Sequence, residues 1–386
     1  MVKFKDFFEK ISPKKVLAQI SPILINPTSS GIQINLSRRF LIFQLLEKLT
    51  RRIEDDPYLN FVSILKNYKV LGSIITGNLH ELHRDRNTLY FKNFFIDRDL
   101  YKMVKQDLEW VYNNYEELRE SLKLTVTKRG IIVYDNHQQN QFNVLLLTIH
   151  SGTWIRRDIE DKLAITREKR LLDEDIDTHK IYGPLVLDKG GIWIDNKASR
   201  FACDYNRGPD RRIYANKSER WIKQVWKEEL SIAQRNWLIE GYEEFYFTLD
   251  KLIDAYKFNI IFDGHSMKDA KGRPQMSFGT KYIPPFYMPV VRSMQRKLNN
   301  LGYNPVSLNV PYSGGFILQW LSQKYPAAFT LSMEVNKLLY MTKNRKRTKV
   351  TLLEKMSSNI SAIFDIDDED ALQSGFKLNL KSTSKI

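Results

Sequence analysis

Two apolar runs in the centre of the chain end in the same way, and this pair constrains the fold more than any other feature. Residues 145–152 read Leu-Leu-Leu-Thr-Ile-His-Ser-Gly, and residues 260–267 read Ile-Ile-Phe-Asp-Gly-His-Ser-Met. Short apolar runs are typical of buried strands, and a glycine beside the histidine permits a tight turn. The pattern predicts two strand ends at one edge of a sheet, where His150 and His265 form a metal-binding rim.

The rest of the chain from residue 124 onward alternates between strand-like and helical runs. Strands are predicted at 131–134, 144–149, 306–310 and 329–335, and helices at 156–172, 220–256 and 288–301. This alternation favours an α/β fold with a mixed, largely parallel sheet flanked by helices. Before residue 124, apolar residues at helical spacing predict helices at 39–53, 57–70 and 97–122.

This change of pattern predicts three regions. Residues 1–125 form a mainly helical N-terminal extension of unknown role, residues 126–342 form the α/β domain, and residues 343–386 form a C-terminal tail with a basic and an acidic run. The function is therefore expected in the second region.

Composition excludes several classes of protein. With 386 residues, 42% of them hydrophobic, the chain has enough apolar side chains for a large core. The single cysteine, Cys203, excludes an intramolecular disulfide framework and a structural zinc site built from cysteines. No apolar run approaches the roughly 20 residues that span a bilayer, and no signal-peptide core follows the N-terminus. We expect a cytoplasmic protein that does not enter the membrane.

The charge balance is basic, since 60 Lys and Arg residues against 45 Asp and Glu residues give a net charge of +15. Such a charge attracts polyanions, but the basic residues are spread along the chain. The only dense run, at residues 343–349, is interpreted as a solvated loop, with contact to nucleic acid or a membrane surface as the alternative.

Further polar motifs follow the first histidine run in a fixed order. They are Asp-Glu-Asp-Ile-Asp-Thr-His at 173–179, Ser-Arg-Phe-Ala-Cys-Asp-Tyr-Asn-Arg at 199–207, the second histidine run, Asn-Val-Pro-Tyr-Ser-Gly-Gly at 309–315 and Met-Glu at 333–334. Over residues 140–342 this series resembles the N-formylglutamate amidohydrolase (deformylase) family, which is related to the zinc carboxypeptidases. The resemblance implies a phosphorylase/hydrolase-like fold and hydrolysis of an N-acyl amino acid such as N-formyl-L-glutamate.

A hydrolytic zinc site needs neutral imidazoles, often one carboxylate, and a position left open for water. His150 and His265 supply the two nitrogen ligands. Zinc carboxypeptidases carry a glutamate ligand three residues after the first histidine, but Thr153 stands there in this chain. The third ligand is therefore expected from the acidic segment, where the resemblance to the family favours Asp175 as first choice and leaves Asp177 as second. Helix capping is the alternative role for both aspartates.

The polar run at 199–207 fits the recognition of a substrate carboxylate. Guanidinium groups bind carboxylates through paired hydrogen bonds, so Arg200 and Arg207 are candidate binding residues, with Asn206 as a further donor. Arg200 has a second interpretation, in which it polarises the scissile carbonyl group. Asp204 is expected to orient an arginine, and Tyr312 either binds substrate or packs within its loop.

Glu334 is the candidate general base, because it ends an apolar run and could take a proton from an activated water molecule. The family resemblance implies the same role. The sequence thus predicts a zinc-dependent amidohydrolase with a small N-acyl amino acid or peptide-like substrate.

Two alternatives to this function remain open. One is a carboxypeptidase-like hydrolase of another acyl-amino acid or peptide, favoured by Tyr-Phe at 246–247 and Leu-Gln at 318–319, where the deformylases carry Tyr-His and Thr-Arg. The other is a catalytically inactive, basic binding protein on the same fold.

Overall fold

The structure, a computed structural model, describes residues 74–76, 89–91, 94–119, 121–138, 141–215, 224–344 and 347–365. The helices predicted at 39–53 and 57–70, and most of the predicted C-terminal tail, lie outside these residues.

The described part of the chain is built on a nine-stranded mixed sheet. Its strands are β1 (Ile74–Thr76), β4 (Lys123–Thr127), β5 (Ile131–Asn136), β6 (Val144–Thr148), β7 (Gly191–Asn196), β8 (Ile260–Met267), β9 (Met276–Gly279), β10 (Val306–Leu308) and β11 (Thr330–Asn336). They lie side by side in the order β1-β4-β5-β7-β6-β8-β11-β9-β10. β2 (Leu89–Phe91) and β3 (Phe94–Ile96) pair separately. The four central strands β7, β6, β8 and β11 run parallel to one another. The predicted α/β fold with a mixed sheet is confirmed.

Eight α-helices lie within the described residues: α1 (Arg98–Asn114), α2 (Arg157–Glu160), α3 (Arg167–Asp173), α4 (Thr178–Lys189), α5 (Ile232–Ala255), α6 (Met288–Asn300), α7 (Phe316–Lys324) and α8 (Val350–Ala362). The helix predicted at 156–172 is two short helices, because Leu163 between them bridges to Trp226. The helix predicted from residue 220 starts at Ile232, where Ser231 and Gln234 form a reciprocal capping box.

Helices cover both faces of the sheet. Along β6, Val144 and Leu146 belong to one core, and Leu145 and Leu147 belong to the other. Successive side chains of a strand point to opposite faces, so this strand is buried on both sides. Helices α1, α4, α6 and α8 contribute to the first core, and α5 and α7 contribute to the second.

The predicted boundary at residue 125 falls inside β4, which pairs with β5. Helix α1 precedes that boundary and contributes Leu100, Val104 and Leu108 to the first core. The division of the chain into three regions stays a prediction. Across the described ranges, no helix is both long and apolar enough to cross a bilayer.

The topology brings the predicted site residues to one edge. The carboxyl ends of parallel strands share an edge of the sheet, which is where ligands bind in α/β proteins. His150 lies two residues beyond β6, residues 199–207 follow β7, and His265 and Glu334 are register neighbours on β8 and β11.

Candidate active site

His150, Asp175 and His265 converge at this edge, and one ligand atom from each lies within 4.8 Å of the others. Asp175 Oδ2 lies 3.1 Å from His265 Nδ1 and 3.7 Å from His150 Nδ1. All three side chains are buried. The structure thus brings together both predicted nitrogen ligands and the first-choice carboxylate.

Each imidazole is held from its far side by another aspartate. His150 Nε2 lies 2.8 Å from Asp204 Oδ1, and His265 Nε2 lies 2.7 Å from Asp263 Oδ2. An Nε2–H that donates to a carboxylate leaves the Nδ1 lone pair available as a metal ligand. Among the described residues, His150 Nδ1 has no hydrogen-bond partner.

This donor set fits a divalent metal ion. Nitrogen and oxygen ligands bound at about 2.0–2.2 Å in a tetrahedron lie roughly 3.3–3.6 Å apart. The distances from Asp175 Oδ2 to the two Nδ1 atoms, 3.1 and 3.7 Å, lie close to this range. The buried His-Asp-His group could therefore bind a metal.

The charges of the group favour an ionised Asp175. Burial by itself raises the pKa of Asp175, but the contacts of its carboxylate with the His150 and His265 rings outweigh it and hold the pKa well below its ordinary value. Ser266 Oγ adds a hydrogen bond of 3.2 Å to Asp175 Oδ1. A carboxylate that stays ionised near neutral pH can coordinate a cation.

Glu334 faces the same space from the adjacent strand. Its backbone pairs in register with that of His265. Its Oε2 atom is buried and has no hydrogen-bond partner within the described part of the chain. Burial raises the pKa of Glu334 to about 7, although the positive charge of His265 opposes this shift. A carboxyl group with a pKa near neutrality can both accept and release a proton.

Asp204 connects the histidine rim to the predicted substrate-binding residues. Its Oδ2 accepts hydrogen bonds from Arg200 at 2.9 Å and from the Tyr214 hydroxyl at 2.5 Å, and Arg207 Nε lies 3.4 Å away. Burial alone would raise the pKa of Asp204, but the charge of Arg200 and the contact with His150 hold it well below its ordinary value. Asp204 therefore orients arginines, as predicted, and also His150.

The predicted substrate-binding residues differ in their surroundings. The guanidinium of Arg207 lies 4.6 Å from the centroid of the Tyr214 ring. Asn206 accepts a hydrogen bond from Ile317 N–H through its Oδ1 atom at 3.1 Å. A Cβ atom on Gly315 would lie 2.1 Å from that same oxygen, so only glycine fits beside Asn206. Tyr312 is 45% exposed, with Arg273 5.5 Å from its ring centroid.

Gly264 allows close packing behind His265. A Cβ atom at Gly264 would lie 2.4 Å from Cδ2 of the fully buried Tyr182. The Tyr182 hydroxyl donates to the His265 carbonyl oxygen at 2.9 Å. The glycine in the second histidine run is therefore explained by packing rather than by a turn, since it lies within β8.

Two of the sequence interpretations can now be refined. Asp177 does not join the His-Asp-His group, because its carboxylate pairs with Thr348 and Lys180. Thr153, three positions after His150, is not part of the His-Asp-His group. Asp175 supplies the carboxylate of that group, and its N–H donates to the carbonyl oxygen of His150 at 3.2 Å.

Sequence reasoning assigned no role to Asp263 or Tyr214. Asp263 could have been found, because residues two apart on a strand share a face and Asp263 precedes His265 by two positions. Tyr214 follows Asp204 by ten positions in a segment without regular secondary structure, so no sequence periodicity indicates its contact.

Comparison with solved structures supports the fold. An N-formylglutamate amidohydrolase from Ralstonia eutropha JMP134 matches with a TM-score of 0.52 and 16% identity, covering 65% of this chain and 100% of its own. A gene product from Agrobacterium tumefaciens matches with a TM-score of 0.45 and 17% identity over 61% of this chain and 97% of its own. A metallo-carboxypeptidase from Burkholderia cenocepacia matches with a TM-score of 0.33 and 10% identity, covering 63% of this chain and 61% of its own.

Comparison with curated protein sequences gives no match. The family model for N-formylglutamate amidohydrolase, in contrast, matches residues 142–341, which is more than half of the chain and includes every site residue described above. On this evidence the chain is an amidohydrolase and belongs to the N-formylglutamate amidohydrolase family.

Proposed function

We propose that this protein is a zinc-dependent hydrolase that cleaves the amide bond of a carboxylate-bearing N-acyl amino acid, such as N-formyl-L-glutamate. The observation that carries the proposal is the convergence of His150 Nδ1, His265 Nδ1 and the Asp175 carboxylate at the carboxyl edge of the parallel strands. Two imidazoles and one carboxylate are one of the ligand sets found in catalytic zinc sites.

His150, Asp175 and His265 would hold the metal, and Asp204 and Asp263 would fix the orientation of the two imidazole rings. A zinc ion held by these side chains would act as a Lewis acid and lower the pKa of a water molecule at the site.

Glu334 serves as general base and then as general acid. Its carboxylate takes a proton as water attacks the scissile carbonyl carbon, and it delivers that proton to the leaving nitrogen as the amide bond breaks. The products are a carboxylic acid and a free amino acid. The pKa of about 7, raised by burial, suits both halves of this cycle near neutral pH.

The arginines and Asn206 hold the substrate. Arg207 and Asn206 bind the substrate carboxylate, and Arg200 stabilises the negative oxygen that develops on the scissile carbonyl group. Their connection through Asp204 supports this assignment, because one carboxylate orients both arginines and His150. Tyr312, on the neighbouring glycine-containing loop, is the further substrate contact that we propose.

The experiment is a measurement of formate release from N-formyl-L-glutamate by the full-length protein loaded with zinc. Hydrolysis is expected for the wild type, and it should stop when a chelator removes the metal and return when zinc is added. Zinc-loaded wild-type protein that hydrolyses no member of a panel of N-acyl amino acids would contradict the proposal.

A second candidate substrate class is an acyl-amino acid other than formylglutamate. Phe247 stands where the deformylases carry histidine, and Leu318 stands where they carry threonine. Phe247 packs partly buried against the second core, and Leu318 is 1% exposed. Both side chains are therefore engaged in the protein interior rather than directed at a ligand. A panel that varies the acyl group and the amino acid separately distinguishes the two, since formate appears only with formyl substrates.

A further inference from the structure

The carboxylate of the candidate metal site lies on a short connection between helices, unlike the two histidines. Asp175 lies between α3, which ends at Asp173, and α4, which begins at Thr178. Asp177 in the same connection has φ of 59°, in the left-handed region. A ligand on such a connection keeps its geometry only if other groups hold the backbone on both sides of it.

Three hydrogen bonds with segments distant in the sequence hold the backbone around Asp175. Its own N–H donates to the His150 carbonyl oxygen at 3.2 Å. The carbonyl oxygen of the preceding residue, Glu174, accepts from Lys337 Nζ at 2.7 Å, and that of the following residue, Ile176, accepts from the Tyr340 hydroxyl at 3.0 Å. The peptide groups on either side of Asp175 are thus held from the segment that follows β11.

Lys337 makes a second bond of the same kind, to the Leu172 carbonyl oxygen at 3.0 Å. Its side chain is 1% exposed. Placing an ammonium group in a protein interior costs free energy, which a neutral donor in the same place would avoid. The positive charge of Lys337 beside the Asp175 segment therefore indicates a role beyond linking two segments of the chain.

The position of these two residues in the chain also matters. Lys337 follows Glu334 by three positions, in the 3₁₀ turn Lys337–Leu339 that directly continues β11, and Tyr340 ends that turn. Both side chains are buried. The segment that begins with the candidate general base therefore also holds the candidate carboxylate ligand.

We infer that Lys337 and Tyr340 are positioning residues, which hold the Asp175 carboxylate in place for metal binding and tie it to the strand that carries Glu334. This inference rests on the proposed metal site. Neither residue touches the reacting atoms. Their effect is on the affinity for zinc and on the geometry at the metal.

Lys337→Met removes both hydrogen bonds and the charge while keeping the volume of the side chain. The dissociation constant for zinc should rise by about 10- to 100-fold, the range known for residues that orient metal ligands. Tyr340→Phe removes one neutral hydrogen bond, so the dissociation constant should rise by a smaller factor, about 3- to 10-fold.

Asn136→Leu is the matched control. Asn136 Nδ2 donates to the carbonyl oxygens of Val186 and Leu187 at 3.0 and 3.1 Å, near the far end of α4. This variant loses two hydrogen bonds to backbone carbonyls, as Lys337→Met does, but at a distance from the site. It should lose stability and keep the wild-type affinity for zinc.

The test is a zinc titration of the metal-free full-length proteins against a competing chelator, with cobalt absorption spectra as a readout of ligand geometry. Weaker zinc binding and an altered cobalt spectrum in Lys337→Met, with wild-type values in Asn136→Leu, are expected. If Lys337→Met does not fold, the zinc affinity of Tyr340→Phe is the test of the inference.

Wild-type zinc affinity in Lys337→Met, or in Tyr340→Phe if only that variant folds, would overturn the inference. An equal loss of affinity in Asn136→Leu would overturn it as well, because the effect would then be one of general stability. Wild-type protein that binds no zinc would instead contradict the proposed metal site, so the two failures are distinguishable.

Discussion

Two of the polar clusters within the described residues differ in how their charges are balanced. The first, the rim cluster, consists of His150, Asp175, His265 and Glu334. The second, the charge cluster, consists of Asp107, His179, Asp195 and Lys197. In the charge cluster, Lys197 Nζ lies 2.5 Å from a carboxylate oxygen of Asp107 and 2.5 Å from one of Asp195. His179 Nε2 lies 3.1 Å from the other oxygen of Asp107.

Ion pairs within the charge cluster balance its charges. Burial opposes the charge of Lys197, but Asp107 and Asp195 raise its pKa overall. Burial likewise opposes the charge of Asp107, yet Lys197 and His179 lower its pKa overall. Opposite charges therefore keep one another ionised inside the protein, which is how a structural cluster is stabilised.

The rim cluster, in contrast, contains polar atoms that its own members do not pair. Its two Nδ1 atoms face one carboxylate, and within the described residues neither His150 Nδ1 nor Glu334 Oε2 has a hydrogen-bond partner. Burial raises the pKa of Glu334 to about 7. Ligand atoms that converge beside a carboxyl group with a perturbed pKa indicate a functional site, whereas charges balanced by ion pairs among themselves are typical of a structural cluster.

The largest effect is expected from Glu334→Gln, which removes the proton acceptor from the rim cluster and keeps its shape. We expect kcat for formate release to fall by about 10²- to 10⁴-fold, because general base catalysis contributes about this much. Zinc content should stay at the wild-type value. An unchanged kcat would remove Glu334 from the mechanism.

Lys197→Met should destabilise the fold without affecting the site. It leaves Asp107 and Asp195 buried without their shared cation, so the free energy of unfolding should fall by about 3–5 kcal/mol, as measured by urea denaturation. Zinc affinity of the folded variant should match that of the wild type. A loss of zinc binding without a loss of stability would show that the two clusters are not separate in function.

Asp204→Asn tests whether the rim cluster depends on the residue behind His150. The amide lacks the negative charge that fixes the Nε2–H donor and holds Arg200, so the zinc dissociation constant should rise by about 10- to 100-fold. Chelator competition measures it. Tyr214→Phe, which removes only the hydroxyl donor to Asp204, is the control and should have the smaller effect.

The charge cluster also predicts a dependence of stability on pH. The pKa of Asp107 is lowered in the folded protein, so its contribution is present above the pKa of the unfolded chain, about 4, and is lost as pH falls below it. Each pH unit below about 4 should cost up to about 1.4 kcal/mol of unfolding free energy. Urea denaturation at a series of pH values, compared with Asp107→Asn, measures this slope. Equal slopes in both proteins would contradict the assignment.

The sequence predicted the strands and the histidine rim because these depend on local patterns. An apolar run that ends in His-Ser beside a glycine marks a strand end at both His150 and His265. The family resemblance, and not a local pattern, favoured Asp175 as the third ligand. Only the structure distinguishes Asp175 from Asp177 in this role. The Asp175 N–H donates to the His150 carbonyl oxygen, which holds Asp175 beside His150.

Contacts between distant segments could not be read from the sequence. Asp204 lies 54 positions from His150, and Lys337 lies 163 positions from Glu174. Helix boundaries were also misplaced where tertiary contacts replaced periodicity, as at Leu163 between α2 and α3. Local pattern reports which face of an element is apolar, and the polar contacts that orient a site depend on how the elements pack.

The proposed chemistry depends most directly on whether the rim cluster binds a metal. The decisive measurement is the metal content of the full-length protein, purified at neutral pH, incubated with zinc and dialysed, for the wild type, His150→Ala and His265→Ala. About one zinc ion per wild-type chain and a large loss in both variants are expected. A wild-type protein without zinc, or variants that retain it in full, would contradict the proposed metal site.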